Sequence, residues 1–449
     1  MVGCFPEFLK ISRTIPTYKK GPKDNMASYR PISVIPIFAK NFESVMSNQL
    51  YTYMESNNLF SSSQFGFRRK RSTVLAIEKV YKYIMDNFEK KHMSTIILCD
   101  LSRAFDCVSH KILIDKLKYY GLTDISLKLF HNYFSNRIQV VSWNGNQSEG
   151  KDIINGVPQG SILGPLLFLI SINDLDVNVN SNTVIFADDA TILTSHCDSI
   201  VATSQAYDRL HEASLWFRAN YFSLNENKTQ FLLFCLNNNN VDKVNLLGIT
   251  LDNKLSFECH VDNMCLKVSK SLFLLRKLRS LLPLNYLLMC YYAFFESHIR
   301  YALRIWGHAP GTKRILILQK KAIRIICNAE FNAHCKPLFK KLNIMTITNL
   351  YIHDSLHFIK SNIHNLDARE NMHNYNIRGK HNLNIPSCRL SKALNGYPTV
   401  AIKLFNTLPN KIKSYPMDKF RSILNLRLKS HPFYNLEEFF NFNHKVLWY

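Results

Sequence analysis

The chain has 449 residues, 47% of them hydrophobic and 12% aromatic, enough to bury a sizeable core across two to four domains or subdomains. Its 56 Lys and Arg against 33 Asp and Glu leave a formal charge of +23, which points to a polyanionic partner, either nucleic acid or an anionic membrane surface. The longest apolar runs, such as 286–295, are about ten residues against the roughly 20 needed to span a bilayer, and the opening MVGCFPEFLKISRT lacks the apolar stretch of a secretory signal, so neither membrane insertion nor secretion is expected.

In chain order, the first 95 or so residues are basic, with Pro16, Pro22, Pro31 and Pro36 punctuating short extended segments, and helical patterns follow at Lys40–Ser56 and Thr73–Lys90. From about 94 to 265 apolar β-rich runs alternate with helices. STIILC reads as a strand ending at Asp100, and KILIDKLKYYG as an amphipathic helix closed by Gly121. IQVVSWN reads as a strand, then comes a Gly/Pro-rich loop and the apolar helix ILGPLLFLISINDL. Beyond 265 the chain turns helical. LKVSKSLFLLRKLRS and KRILILQKKAIRIIC join apolar residues at helical spacing to basic faces, a pattern suited to tracking a nucleic-acid backbone. Eleven cysteines without a CxxC pair read as reduced thiols of an intracellular protein, and Cys259, His260 and Cys265 lack the second half of a zinc site.

One stretch conflicts with its surroundings. TVIFADDATIL reads as strand, tight turn, strand, yet carries Asp188 and Asp189 at its centre, and an unpaired carboxylate is costly to bury. A solvated turn is one explanation; a cation held at the hairpin tip is another. Asp100, also at the end of an apolar strand, supplies a third carboxylate. Carboxylates brought together in this way suit two metal ions that activate an attacking oxygen and stabilise the leaving one at a phosphoryl centre. A nuclease and a polymerase both remain open at this point.

STIILCDLSRAFDCVSH, NGVPQGSILGPLLFLISINDL and VIFADDATIL, in that order, resemble motifs A, B and C of a reverse transcriptase. The Pro-Gln-Gly and Ala-Asp-Asp forms are similar to the non-LTR retrotransposon (LINE-like, jockey-type) branch. IPTYKKGPKDNMASYRPISVIPIFAKNFESVM and SQFGFRRKRSTVLAI resemble its fingers motifs, and LNENKTQFLLF its motif D. LLGITLDNKLSFECHV resembles the region that follows, LRIWGH and LQKKAIRII the thumb side, and FNTLPNKIKSYPMDKFRSIL the C-terminal tail.

The resemblance implies an α+β right-hand polymerase with an antiparallel palm sheet backed by helices, followed by a mainly helical C-terminal region. It divides the chain into fingers at 1–95 (truncated at the N-terminus), palm at 96–265, thumb-like basic helices at 266–335, and a helical region of unassigned role at 336–449. It implies RNA-directed DNA polymerase activity, with RNA template, DNA primer and deoxynucleoside triphosphates as partners, no membrane, and an intracellular location. Two Mg2+ ions, replaceable by Mn2+, would be held by Asp100 and Asp188 with Asp189 nearby, since magnesium favours hard oxygen ligands. Phe105 would block a ribose 2′-hydroxyl; Gln159 and Gly160 would lie in the nucleotide or template pocket. Lys20, Arg30 and Arg68 would hold the triphosphate, and Lys228 would give a proton to departing pyrophosphate. The chain starts almost at the first fingers motif, where such elements usually carry an endonuclease domain upstream, and no segment resembles an RNase H domain or a zinc-knuckle array. A catalytically silent nucleic-acid-binding remnant is the alternative. An RNA-templated RNA polymerase is disfavoured by Phe105 and the Ala-Asp-Asp form.

Overall fold

The acidic motifs lie on a four-stranded sheet made from the most apolar runs of the chain. In the computed structural model, which describes residues 3–237, 241–367, 369 and 382–448, the strand order is Gln230–Phe234, Met93–Cys99, Asp189–His196, Asn182–Phe186. Met93–Cys99 pairs antiparallel with Asp189–His196 from Met93↔His196 to Cys99↔Ala190, and Asn182–Phe186 forms a hairpin with the same strand. Ile96, Ile97, Ile192 and Leu193 are all buried, because elements cover both faces; this is why these strands read as continuous apolar runs instead of alternating ones. One cover is the helix Ser199–Ala219, N-capped by the Asp198 carboxylate and packed on the two central strands.

The chain divides into two compact units, Met1–Val80 with Met93–Leu233, and Tyr81–His92 with Phe234–Tyr449. The first contains the strands Met93–Cys99, Asp189–His196 and Asn182–Phe186 of this sheet, and a second sheet in which Ile11–Tyr18 pairs antiparallel with Tyr29–Val34 and parallel with Ile138–Trp143. Its helix Ile37–Ser56 starts three residues before the sequence pattern does. Pro36 sets its N-terminus, and Ile37 and Phe38 at its start are exposed, so they carry no periodic signal. Within it Glu43 is fully buried, accepting hydrogen bonds from Tyr133 Oη and the Ile162 amide, both at 2.8 Å. The helix Gly164–Ile172, expected from its apolar run, is buried along its length and joins one core with Leu113, Leu117, Phe130 and Phe217.

The second unit is mostly helical. Glu258–Leu278 buries Val261, Met264, Val268, Leu272 and Leu275 and exposes Lys267, Lys270, Arg276 and Lys277 on the opposite face. Thr312–Cys327 packs against it, burying Ile315, Leu316, Ala322, Ile323 and Ile326. Both basic segments are thus amphipathic helices, although Arg314 spends its charge on Glu258 and Asp262. Further helices at Ile347–Ser361, Thr399–Asn406 and Met417–Ser430 complete the unit. Among the described residues no helix is long and apolar enough to cross a membrane.

Candidate active site

Strand register brings the acidic residues together. Cys99 faces Ala190 in the last rung of the ladder, so Asp100 and Asp189 both lie just beyond its end, close enough for the Asp100 charge to act on Asp189. Phe186 pairs with Asp189 around the two loop residues Ala187 and Asp188. The tight connection needs a left-handed residue, and Ala187 provides it at φ +55° where no glycine is present. Asp189 reaches solvent but lies in a hollow of protein atoms. That desolvation, then the charges of Asp188 and Asp100, raises its pKa to about 6. Three mutually repelling carboxylates supply hard oxygen donors, a set that fits a divalent cation such as Mg2+. As the side chains stand, no group of three or more His, Cys, Asp or Glu among the described residues is arranged to hold a metal ion.

A cationic group occupies part of the cluster. The short strand Ser223–Leu224 pairs antiparallel with Leu101–Ser102, immediately after Asp100. The Asn225 amide then donates to the Asp100 carbonyl at 2.8 Å. These contacts position the turn Glu226–Lys228, and Lys228 Nζ lies 2.8 Å from Asp100 Oδ2. Lys228, 128 residues from Asp100 in sequence, is therefore a neighbour of the acidic cluster.

The Pro-Gln-Gly loop is tied to the turn that follows Asp100. The Gly156 amide donates to the Val108 carbonyl (2.7 Å) and the Val157 amide to Phe105 (2.8 Å). His110, pushed below its ordinary pKa chiefly by burial, holds the Gly156 carbonyl at 2.7 Å. Gln159 Nε2 donates to Asp106 Oδ1 at 2.9 Å. Burial raises the Asp106 carboxyl, and the Gln159 hydrogen bond opposes that rise. The sequence reading missed Asp106; the only signal was a second acid six residues after Asp100 in the same motif. Phe105 is half-buried, stacked on Phe168 at 4.6 Å and edge-on to Phe67. Gly160, at φ +117°, presses against the backbone of Ser33, whose amide donates to the Gln159 carbonyl at 2.7 Å. The loop thus leans on the strand Tyr29–Val34 that carries Arg30.

The three cations expected at the triphosphate separate. Lys20 and Arg30 are exposed beside and on the hairpin of Ile11–Tyr18 and Tyr29–Val34. Arg68 is placed differently from the other two. Its side chain is about 10% exposed, with Nε and Nη2 on the Glu55 carboxylate at 3.0 and 2.9 Å and Nη1 on the Ser61 carbonyl at 2.7 Å. The guanidinium also lies over the Phe60 ring. Its charge is paired internally with Glu55, which makes it an anchor of the local fold.

Known proteins are similar to this chain over much of its length. A family profile described as "Reverse transcriptase (RNA-dependent DNA polymerase)" matches residues 19–251, just over half of the chain. Two Drosophila melanogaster proteins are similar over 76% of the chain. "RNA-directed DNA polymerase from mobile element jockey" is 28% identical, and "Probable RNA-directed DNA polymerase from transposon X-element" is 29% identical. The chain spans about 40% of the length of each. A solved telomerase from Candida tropicalis, in complex with a telomeric RNA fragment, aligns with a TM-score of 0.43 at 12% identity, covering 74% of this chain and 64% of that one. The chain belongs to the reverse transcriptase family, in its non-LTR, jockey-like branch. Its fold is the α+β right-hand polymerase class, with an antiparallel palm sheet backed by helices and a mainly helical region after it.

Proposed function

We propose that the chain is an RNA-directed DNA polymerase that adds deoxynucleotides to a DNA primer on an RNA template. The observation that supports this most strongly is the register-set meeting of Asp100 with Asp188 and Asp189, with Lys228 on Asp100. On this reading Asp100 and Asp188, with Asp189 beside them, hold two Mg2+ ions, for which Mn2+ can substitute. The ions would lower the charge barrier between the primer 3′-hydroxyl and the α-phosphate.

The protein's own groups do the rest. The 3′-oxygen bonds to the α-phosphorus, the bond to pyrophosphate breaks, and the hydroxyl proton leaves to solvent. Lys228, poised at the carboxylates, gives a proton to the departing pyrophosphate. Gln159, held by Asp106, and Gly160 line the nucleotide or template pocket, and Phe105, stiffened by its stack on Phe168, walls off a 2′-hydroxyl. Lys20 and Arg30, free of carboxylate partners in the described contacts, receive the triphosphate. We assign fingers to 1–95, palm to 96–265 and thumb-like basic helices to 266–335, the last gripping the duplex backbone through their exposed Lys and Arg faces. RNA template and DNA primer are then the partners, and the cell interior is the place of action.

Primer extension with poly(rA), oligo(dT), dTTP and Mg2+ tests this directly. Extension that disappears in Asp188→Ala supports the assignment. Extension that survives in Asp188→Ala sinks it, and no extension by folded wild-type protein favours a silent nucleic-acid-binding remnant.

A further inference from the structure

The acidic turn is held from outside its own hairpin. Residues 63–66 run beside the strand Asn182–Phe186 as a parallel bridge centred on Gln64↔Ile185. The Ile185 amide donates to the Ser63 carbonyl at 2.8 Å and the Phe65 amide to the Ile185 carbonyl at 2.7 Å. At the next step the side chain of Gln64 takes over from the backbone. Its Oε1 accepts from the Gly66 amide at 2.7 Å and from the Ala187 amide at 3.2 Å. Gln64 is 1% exposed, and its Nε2 has no hydrogen-bond partner among the described residues. A buried amide with an unpaired donor is costly, so what the site gains from this residue is its carbonyl oxygen. Gly66 completes the contact: a Cβ there would lie 2.3 Å from the Ala187 nitrogen. Only glycine lets the chain come close enough for Gln64 to reach over it.

Ala187 is the left-handed residue immediately before Asp188. Its conformation aims both carboxylates, and a non-glycine residue in that region is held there by its surroundings. We infer that Gln64, seated by Gly66, is a positioning residue: its carbonyl oxygen fixes the Ala187 amide and thereby the aim of Asp188 and Asp189. The inference rests on the polymerase reading for its kinetic consequence, but its structural part stands apart from it.

The test compares full-length wild type, Gln64→Leu and Gln64→Glu. The first removes the acceptor at similar volume; the second keeps an acceptor oxygen in the same place once its carboxyl is protonated. Two readouts are taken: steady-state dTTP incorporation on poly(rA)/oligo(dT), and hydrogen exchange of the peptide spanning 183–193. Gln64→Leu is expected to lower kcat about 10- to 100-fold, the scale of a small misplacement of reacting groups. The KM for dTTP should stay within about twofold, because the nucleotide-binding groups are untouched. Exchange should rise at the turn while the rest of the sheet stays protected, and Gln64→Glu should recover the protection at pH 5, where its buried carboxyl is protonated and still presents a carbonyl oxygen. Unchanged kcat and exchange in Gln64→Leu would overturn the inference, as would a Gln64→Glu protein whose turn at pH 5 exchanges as fast as that of Gln64→Leu, which would make the residue mere packing. Should Gln64→Leu not fold, Gln64→Met, with a flexible side chain and no strong acceptor, is judged by the same criteria. If the wild type makes no product, the polymerase reading fails, while the exchange data still decide the positioning claim.

Discussion

Replacing Gly156 by alanine tests how firmly the Pro-Gln-Gly loop is attached to the turn after Asp100. Gly156 sits at φ +87°, and a Cβ there would meet the Asp106 backbone at 2.8 Å (O), 2.9 Å (Cα) and 3.1 Å (C). A left-handed alanine costs about 1–2 kcal/mol, and relieving contacts with rigid backbone adds about 1–3 kcal/mol. The total, about 2–5 kcal/mol, is a large share of the stability of an ordinary domain. At roughly 2–4 °C per kcal/mol for a unit of this size, thermal unfolding of the first unit should move down by roughly 4–20 °C. The strain falls between Gly156 and Asp106, so relief must separate the loop from the turn and disturb the Gln159–Asp106 hydrogen bond. Calorimetry and primer extension below both transitions should therefore show lower stability together with a fall of about tenfold or more in kcat/KM. A Gly156→Ala protein with wild-type melting and wild-type activity would refute the close approach and the coupling drawn from it.

The two arginines offered to the triphosphate should behave oppositely. Arg68→Ala removes a bidentate pair whose glutamate keeps the Tyr51 hydroxyl and is about a third exposed, and should cost about 1–2 kcal/mol by denaturant titration, whereas exposed Arg30→Ala should leave stability within about 0.5 kcal/mol and raise the KM for nucleotide. An Arg68→Ala protein of native stability would show that the Glu55 pair anchors nothing. In the second unit, burial raises the pKa of Glu296 to about 7 from the ordinary 4.5. The folded state then keeps a proton the unfolded chain has released, so stability falls as pH rises from about 4.5 to 7 and the loss, about 3 kcal/mol, is complete above it. Glu296→Gln should flatten that slope and be the more stable protein at pH 8; an unchanged pH profile in the melting of the second unit would contradict this. Phe105→Ala should raise ribonucleotide incorporation about tenfold or more relative to deoxynucleotide, equivalent to ~1.4 kcal/mol of lost discrimination. No change in that ratio would remove Phe105 from the sugar-selecting role.

Local features were legible because local physics carries them. The strand ending at Asp100, the turn at Ala187–Asp188 and the helix closed by Gly121 follow from apolar runs, turn residues and helical spacing within about a dozen positions. The order of the motifs, together with the +23 charge, was enough to point to the family and the fold class. Helix Ile37–Ser56 was read late because its first turn is apolar and exposed, leaving no period to detect. The basic faces of Glu258–Leu278 and Thr312–Cys327 were readable as amphipathic stripes, but the loss of Arg314 to Glu258 and Asp262 was not.

What the sequence by itself determined is therefore which residues could act: three carboxylates at strand ends, a glutamine between proline and glycine, an aromatic five residues past Asp100. Tertiary structure alone decided which of them meet. Strand register, a pairing of segments some 90 residues apart, put Asp100 and Asp189 at the same end of the ladder. A short strand pair put Lys228 on Asp100. A glutamate thirteen residues upstream paired with Arg68. Asp106 and Gln64, ordinary polar residues in the sequence, became holders of Gln159 and of the acidic turn. The reason is that spacing along the chain sets only the face a side chain occupies, whereas its partner is chosen by long-range pairing and close packing.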